Sequence, residues 1–485
     1  MITHGVFNIQ LRVVYYRTRM WLLYFVVLFL SVFLFIKRNS KQKNAGKPQV
    51  PGLSKTSDKL GNLEDIAKAG SMVKFLKDLH ARFGPIASYW HKDVYTVSLG
   101  DIKYLKVTEK MFDRHRALFE FAEPLISNKS LQFLNGQFGR SRHKLLSEPF
   151  GYSGCCQVFE MMKNIVREFT SQWRVGDKIN LHDSMMRLAI NIMLKTNFGY
   201  YFDNSENSER LLTQYFKVIN DLDDVLNGLW AFGCDDEREE VFQKNLLEFK
   251  AEMRTIVQEH KRRKHAGDYY KAPFLDISLD NFDDEDEIVH QAITFMTGGF
   301  HTTGTYMTWF FYNLGLFPDI QAKVVEEVVD KFGSEGLESV DDMKRLDYTR
   351  KVMDETLRHA KIGLFTERQA ETDMEVEGFH IPQGSQILNA LCLTLDDKNS
   401  FKNPGNFDPD NIQPARKTGL AFSPFGFGVR KCPGYKFAEV EMALVATEIL
   451  ARFNIEIAEE DRNVQHVYGF ITKPDREISV QLVIA

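Results

Sequence analysis

With 485 residues, 44% of them hydrophobic and 13% aromatic, including 39 phenylalanines, the chain has ample material for a large core around one buried apolar site. A formal net charge of −5 excludes the electrostatic footprint of a nucleic-acid binder. Five cysteines, an odd number with Cys155 adjacent to Cys156, exclude a simple disulfide framework and point to a reducing compartment.

The first predicted element is the uncharged apolar run Met20 to Ile36, which at about 17 residues reaches the lower limit for a membrane-spanning helix. Trp21 and Tyr24 sit at its start, and no small-residue cleavage site follows, so it reads as a retained anchor. Lys37, Arg38, Lys41, Lys43 and Lys47 follow it, against Arg12, Arg17 and Arg19 before, which favours the C-terminal bulk in the cytosol. The expected organisation is a tail (1–19), an anchor (20–36), a basic and proline-containing linker (37–52) and one large domain (53–485), since no further linker or internal repeat appears.

Next comes the basic segment Asn135 to Lys144, in which Phe138 and Arg142 stand out. Lys261 to Lys264 ends a polar helix and reads as a solvated end. From about Glu287 to Leu316 the spacing predicts an apolar helix, preceded by acidic residues and stopped before Pro318. Within it lies Gly298-Gly299-Phe300-His301-Thr302-Thr303. Two mid-helix glycines cost about 1 kcal/mol each relative to alanine, so they ask for a close approach to a flat ligand or a local widening of the helix. A helix from Met343 to His359 carries Glu355 and Arg358 at i and i+3, on one face, where they can pair.

The sharpest signal is Phe425-Gly426-Phe427-Gly428-Val429-Arg430-Lys431-Cys432-Pro433-Gly434. It isolates one cysteine in a glycine-rich loop ahead of an apolar helix from about Tyr435 to Phe453. Cys432 has no partner at zinc spacing, so a metal it binds must bring most of its own ligands, as haem iron does. Gly428 and Gly434 let backbone N–H groups approach the sulfur, the helix N-terminus favours the thiolate, Arg430 can reach a haem propionate, and Phe425 can lie against the ring.

The pattern F-x-x-G-x-x-x-C-x-G resembles the haem-binding signature of the cytochromes P-450. The order Glu355-Thr356-Leu357-Arg358, Gly378 to Gly384, Phe407 to Asp410 and then Cys432 resembles that superfamily over nearly all of residues 48 to 485. Gly61 to Ile66, Phe75 to Trp90 and Val97 to Gly100 look most like its orphan family 20. The resemblance implies a mainly α fold with a small β portion, haem b held through Cys432, and a monooxygenase drawing electrons from an NADPH-dependent flavoprotein reductase or a cytochrome b-type donor. Electrons must come from outside, because the chain shows no nucleotide- or flavin-binding fingerprint. It further implies O2 and an apolar, lipid-like or steroid-like substrate, and a location in the endoplasmic reticulum membrane. Thr302 falls on the proton-delivering threonine, and His301 stands where the family has an acid; it either relays protons or is a satisfied core residue. Arg142 takes the basic position of the propionate-binding helix, whose usual tryptophan is here Phe138. Glu355 and Arg358 form a structural pair, with Asn411 in place of the usual third, basic partner. By analogy the pocket walls are Phe295, Phe300, Ile362, Leu364, Phe365, Phe470 and Ile471. Arg140, Arg142, Lys144, Lys431 and Lys436 are candidates for a reductase-docking patch. Two other classes stay open: an isomerase or dehydratase of a pre-oxidised lipid, and a non-enzymatic haem or ligand-binding protein.

Overall fold

The computed structural model describes residues 49–199, 205–268, 271–412 and 419–485. The anchor expected at 20–36 lies outside them, and no described helix is long and apolar enough to cross a membrane. The chain divides into two compact units. In the smaller, Met374–Val376 and Phe379–Ile381 pair antiparallel, and Gln49 bridges to His380. The two residues between those strands, Glu377 and Gly378, both have positive φ (51° and 82°), the backbone a two-residue type I′ hairpin requires.

The larger unit, Pro51–Thr372 with Pro382–Ala485, is mainly helical, with three small sheets among the described residues. One sheet orders its strands Ile86–His91, Val94–Leu99, Gln386–Asn389, Thr366–Gln369; the middle pair is parallel and the outer pairs antiparallel. A second joins Lys178–Asn180, Ser479–Ile484 and Phe453–Ile457, and a third is the hairpin His466–Tyr468 with Thr472–Pro474.

The predicted helix 287–316 is divided into three parts. Glu285–Met296 starts at Asp284, whose carboxylate accepts the Asp286 N–H at 2.9 Å, and carries acidic side chains in its first turn, which suits the positive end of the helix dipole. Thr297–His301 is a π-helical turn, the widening that the paired glycines ask for. Thr302–Leu316 then resumes as an α-helix buried on nearly every face, because it is apolar all round rather than on one stripe. Glycine is needed here for a second reason. A Cβ at Gly299 would stand 2.8 Å from Met193 Sδ, and one at Gly304 2.7 Å from Met186 Sδ, so both let this helix close on Leu181–Phe198. Gly298 meets nothing within 4 Å and faces an open space.

Two other helices reach the site. Ser205–Leu226 has the amphipathic pattern of a helix laid over a core. Tyr435–Leu450 is mainly apolar and buried along most of its length. The helix expected at 343–359 begins later, at Tyr348, because Val340–Arg345 is a separate 3₁₀ turn fixed by a Ser339–Asp342 capping box.

Candidate active site: a cysteine facing a widened helix

The loop before Tyr435 is built by its glycines. Gly426 and Gly428 have φ of 68° and 66°, a region costly for other residues. Gly428 does more than turn: a Cβ there would fall 2.0 Å from Glu109 O, whose carbonyl also accepts the Val429 N–H at 3.1 Å. Its role is therefore to dock the loop on Glu109, not to bring an N–H to sulfur. The Cys432 N–H donates to Phe425 O at 2.9 Å, which closes the loop and aims the side chain inward. Burial pushes the free thiol's pKa up, while the Gly434 N–H, Lys431 and Arg114 pull it back.

Cys432 opens onto a cavity of about 360 Å³. Gly298, Gly299, Thr302 and Thr303 of the π-turn and the following helix also line it, as do Phe425 and Gly434. Thr302 Oγ1 donates to Gly298 O at 2.6 Å, and Thr303 Oγ1 to Gly299 O at 2.7 Å, so both hydroxyls are held by the widened turn. Of the seven predicted wall residues, Phe295, Ile362, Phe365 and Phe470 line the cavity. Three do not. Phe300 is fully buried against Tyr215, with ring centroids 4.9 Å apart, because its helix position turns it toward Ser205–Leu226. Leu364 packs with Leu76, Leu79 and Leu388 beside the four-stranded sheet, and Ile471 is buried in the main core.

His301 is likewise outside the lining. It is 2% exposed, its Nδ1 lies 2.9 Å from Tyr215 Oη, and burial, followed by His182 and Lys473, pushes its pKa down to about 3. The side chain next to Thr302 on a helix points about 100° away, so neutral His301 has no direct contact with the cavity that Thr302 faces.

Cations gather at one edge of the cavity. Arg430 (3% exposed) donates through Nε to Phe112 O at 3.0 Å and through NH1 to Leu131 O at 2.9 Å, and also reaches Leu134 O. Arg114 lines the same space, as does His143, a neutral hydrogen-bonding group because burial, then Arg430 and Arg114, push its pKa down to about 4. Burial, then repulsion from Arg114 and Arg368, brings Arg430 down to about 8; burial and Arg114 bring Arg368 to about 9. The neighbouring carboxyl, Glu367, is itself pushed up to about 8 by burial. Arg114 Nε and Arg368 Nε are buried without hydrogen-bond partners. Unspent donors beside a surplus of buried positive charge fit a ligand that carries carboxylates, and the thiol at the centre fits a ligand that carries iron.

Arg142 is not part of this edge. Its Nε lies 3.0 Å from Glu287 Oε1 and its guanidinium sits 4.0 Å from the Phe282 ring centroid, so it is spent on tying 136–147 to the helix Glu285–Met296. The next residue, His143, faces the cavity instead. Sequence reading missed Arg114, His143, Glu367 and Arg368, whose charges look like any solvated cluster until the fold buries them together.

Behind the cavity, Glu355 and Arg358 are fully buried and paired at 2.7 Å. Asn411 does not complete this pair: its Oδ1 accepts the Lys402 N–H at 3.0 Å. The Asp408 N–H supplies the missing donor to Glu355 Oε1 at 2.8 Å, and Arg358 spends its remaining N–H groups on the carbonyls of Leu395, Pro404 and Asn406.

A thiol in a glycine-built loop, a π-turn followed by a threonine on the same cavity, and a buried cationic edge define a haem-thiolate site. The family model for Cytochrome P450 matches residues 51–481, and the chain belongs to that family. Its relatives include cytochrome P450 20A1 of Mus musculus, 26% identical over 93% of this chain and 96% of that protein. The Homo sapiens cytochrome P450 20A1 is 24% identical over 88% and 91%. Cytochrome P450 4c21 of Blattella germanica is 24% identical over 95% and 97%. Among solved structures, a retinoic-acid-bound cyanobacterial CYP120A1 shares the fold at TM-score 0.79, with 21% identity, over 91% of this chain and all of that one. A cytochrome P450DA heme domain does so at 0.77, with 19% identity, over 90% and 98%. The cofactor is haem, in keeping with the cysteine loop and the cationic edge.

Proposed function

We propose that the chain is a membrane-anchored monooxygenase that inserts one oxygen atom from O2 into an apolar, lipid-like or steroid-like substrate, with electrons from an NADPH-dependent flavoprotein reductase. The carrying observation is that Cys432 and Thr302 line one cavity whose walls are mainly apolar away from its cationic edge. Cys432 would hold the iron, and Arg114, His143 and Arg430 the carboxylates at the cationic edge. When bound, haem supplies the activation of O2. Everything else is the chain's own work. Phe119, Phe121, Phe295, Ile362, Phe365 and Phe470 exclude water and offer a substrate dispersion contacts with no fixed charge to pair. Thr302 Oγ1 gives its proton to Gly298 O and so turns lone pairs to the cavity, where it can accept a hydrogen bond from a water and orient it for proton delivery. Neither His301 nor its partner Tyr215 lines the cavity, so His301 has no direct contact through which to pass protons to it.

Basic side chains around Cys432 support an acidic reductase as the donor, with a cytochrome b-type donor as the alternative. Arg142 is committed to Glu287, and Lys436 pairs with Glu439 at 2.7 Å. Arg140, 4.6 Å from the Phe112 ring centroid, Lys431, 3.4 Å from the Tyr435 ring centroid, and Lys144 complete the candidates for the docking patch. We place the protein in the endoplasmic reticulum membrane with its catalytic domain in the cytosol, on the strength of the apolar run 20–36 and its basic C-terminal flank. The full chain should resist alkaline extraction from membranes and a chain starting at residue 48 should not; release of the full chain would remove the anchor.

The deciding experiment is the reduced, carbon monoxide difference spectrum beside that of Cys432→Ala. A strongly red-shifted Soret band, lost in the variant while the fold is kept, is the expected result. No such band in folded, haem-loaded protein would overturn the reading. A second reading, isomerisation or dehydration of a pre-oxidised lipid, is favoured by one observation: no Asp or Glu lines the cavity among the described residues. Turnover of a lipid hydroperoxide without reductase would establish it.

A further inference from the structure

Two walls of the cavity are tied together by one carboxylate. The helix Ser205–Leu226 presents Ile219 to the cavity, and one turn further along the same face lies Asp223, 7% exposed. Asp223 Oδ1 accepts the Phe470 N–H at 2.7 Å, and Oδ2 receives Lys473 Nζ at 3.2 Å. Both donors belong to the tip and returning strand of the hairpin His466–Tyr468 and Thr472–Pro474. Asn227, a further turn along the helix, donates from Nδ2 to Tyr468 O at 3.3 Å. Gly469 makes the approach possible, since a Cβ there would stand 2.6 Å from Asp223 Oδ2.

The residue so held matters. The Phe470 ring enters the cavity edge-on to Phe121 (centroids 5.7 Å apart) and Phe119 (6.1 Å), and Phe119 meets Phe365 at 6.0 Å. These rings form one wall. A two-stranded hairpin is marginal by itself, so its tip takes its position from whatever grips it, and the strongest grip here is a charge-assisted bond to a buried carboxylate.

We propose that Asp223 is a positioning residue that sets the width of the substrate cavity. By fixing the backbone of Phe470 it holds that ring against Phe119 and Phe121, and so decides how large an apolar ligand enters. This rests on the haem-thiolate reading only for the optical probe of its test.

The test uses the full-chain holoprotein and two haem-ligating probes, 4-phenylimidazole and a biphenyl-substituted imidazole, titrated by the Soret shift. Loss of a hydrogen bond to a charged group is expected to move the ratio of the two Kd values about tenfold toward the larger probe in Asp223→Ala. Phe470→Ala should move it in the same direction, and the double variant no further than Phe470→Ala alone, because both remove one wall. Amide hydrogen exchange at Phe470 should quicken roughly tenfold or more in Asp223→Ala. Gly469→Ala, which drives the carboxylate off the tip, gives the same selectivity change and carries the test if Asp223→Ala does not fold. An unchanged Kd ratio in a folded variant, or additive effects of Asp223→Ala and Phe470→Ala, would overturn the proposal. If the wild type shows no thiolate-ligated haem, the functional reading fails, and the exchange comparison decides the clasp.

Discussion

Removing the guanidinium of Arg358 tests how much of the scaffold behind the thiolate rests on one side chain. Arg358 makes five hydrogen bonds: Nε and NH2 to Glu355, NH1 to Leu395 O and Pro404 O, and NH2 to Asn406 O. Both partners of the ion pair are fully buried. Burial pushes the Glu355 carboxyl up, and Arg358 followed by the Asp408 N–H pulls it back, so without the arginine a carboxylate there would be left with a single backbone donor. Breaking a buried pair by deleting one partner costs about 3–5 kcal/mol, against a total domain stability of roughly 5–15 kcal/mol. Arg358→Ala is therefore expected to lose most of its stability, and Arg358→Lys somewhat less, since an ammonium cannot span both Glu355 and the three carbonyls. The assay is urea unfolding followed by far-ultraviolet circular dichroism, with amide exchange across 395–408 as the local readout. A loss below about 1 kcal/mol in Arg358→Ala, the size of an exposed pair, would refute the argument.

Two further outcomes are expected. Thr302→Ala should keep thiolate-ligated haem but raise the hydrogen peroxide released per NADPH consumed, and unchanged coupling would remove Thr302 Oγ1 from proton delivery. His301→Gln should flatten part of the acid limb of stability: the folded pKa of about 3 lies below the ordinary histidine value of 6.5, so the stability present above pH 6.5 is lost as pH falls toward 3, and Tm measured across that range should fall less steeply than in the wild type.

What was legible in the sequence was whatever depends on local backbone chemistry. Cys432 could be read because it stands alone in a glycine-rich loop, though Gly428, expected to bring an N–H to the sulfur, instead docks that loop on Glu109; Gly298-Gly299 could be read as a widened helix because mid-helix glycines are costly without a purpose. Glu355 and Arg358 could be paired because i and i+3 share a helix face. What failed did so at the next level, where side-chain direction is decided by packing. Phe300 and His301 sit between Gly298 and Thr302 in the chain, yet the helix turns both away from the cavity and against Tyr215. Arg142 and His143 are neighbours with opposite fates, one spent on Glu287 and the other facing the cavity. The missing basic residue at Asn411 is replaced as a donor to Glu355 by the backbone N–H of Asp408, while loop carbonyls accept the remaining N–H groups of Arg358, partners that no side-chain pattern announces. The same reasoning explains why the cationic edge went unseen. Arg114, Arg368 and Arg430 are far apart in sequence, and their charges gain meaning once burial strips their water and leaves two of them with an unpaired Nε. A motif therefore reports which atoms a site owns; whether each atom faces the site is set by the helix on the other side of it, here Ser205–Leu226, which takes Phe300 and His301 for the core and leaves Thr302 to the chemistry.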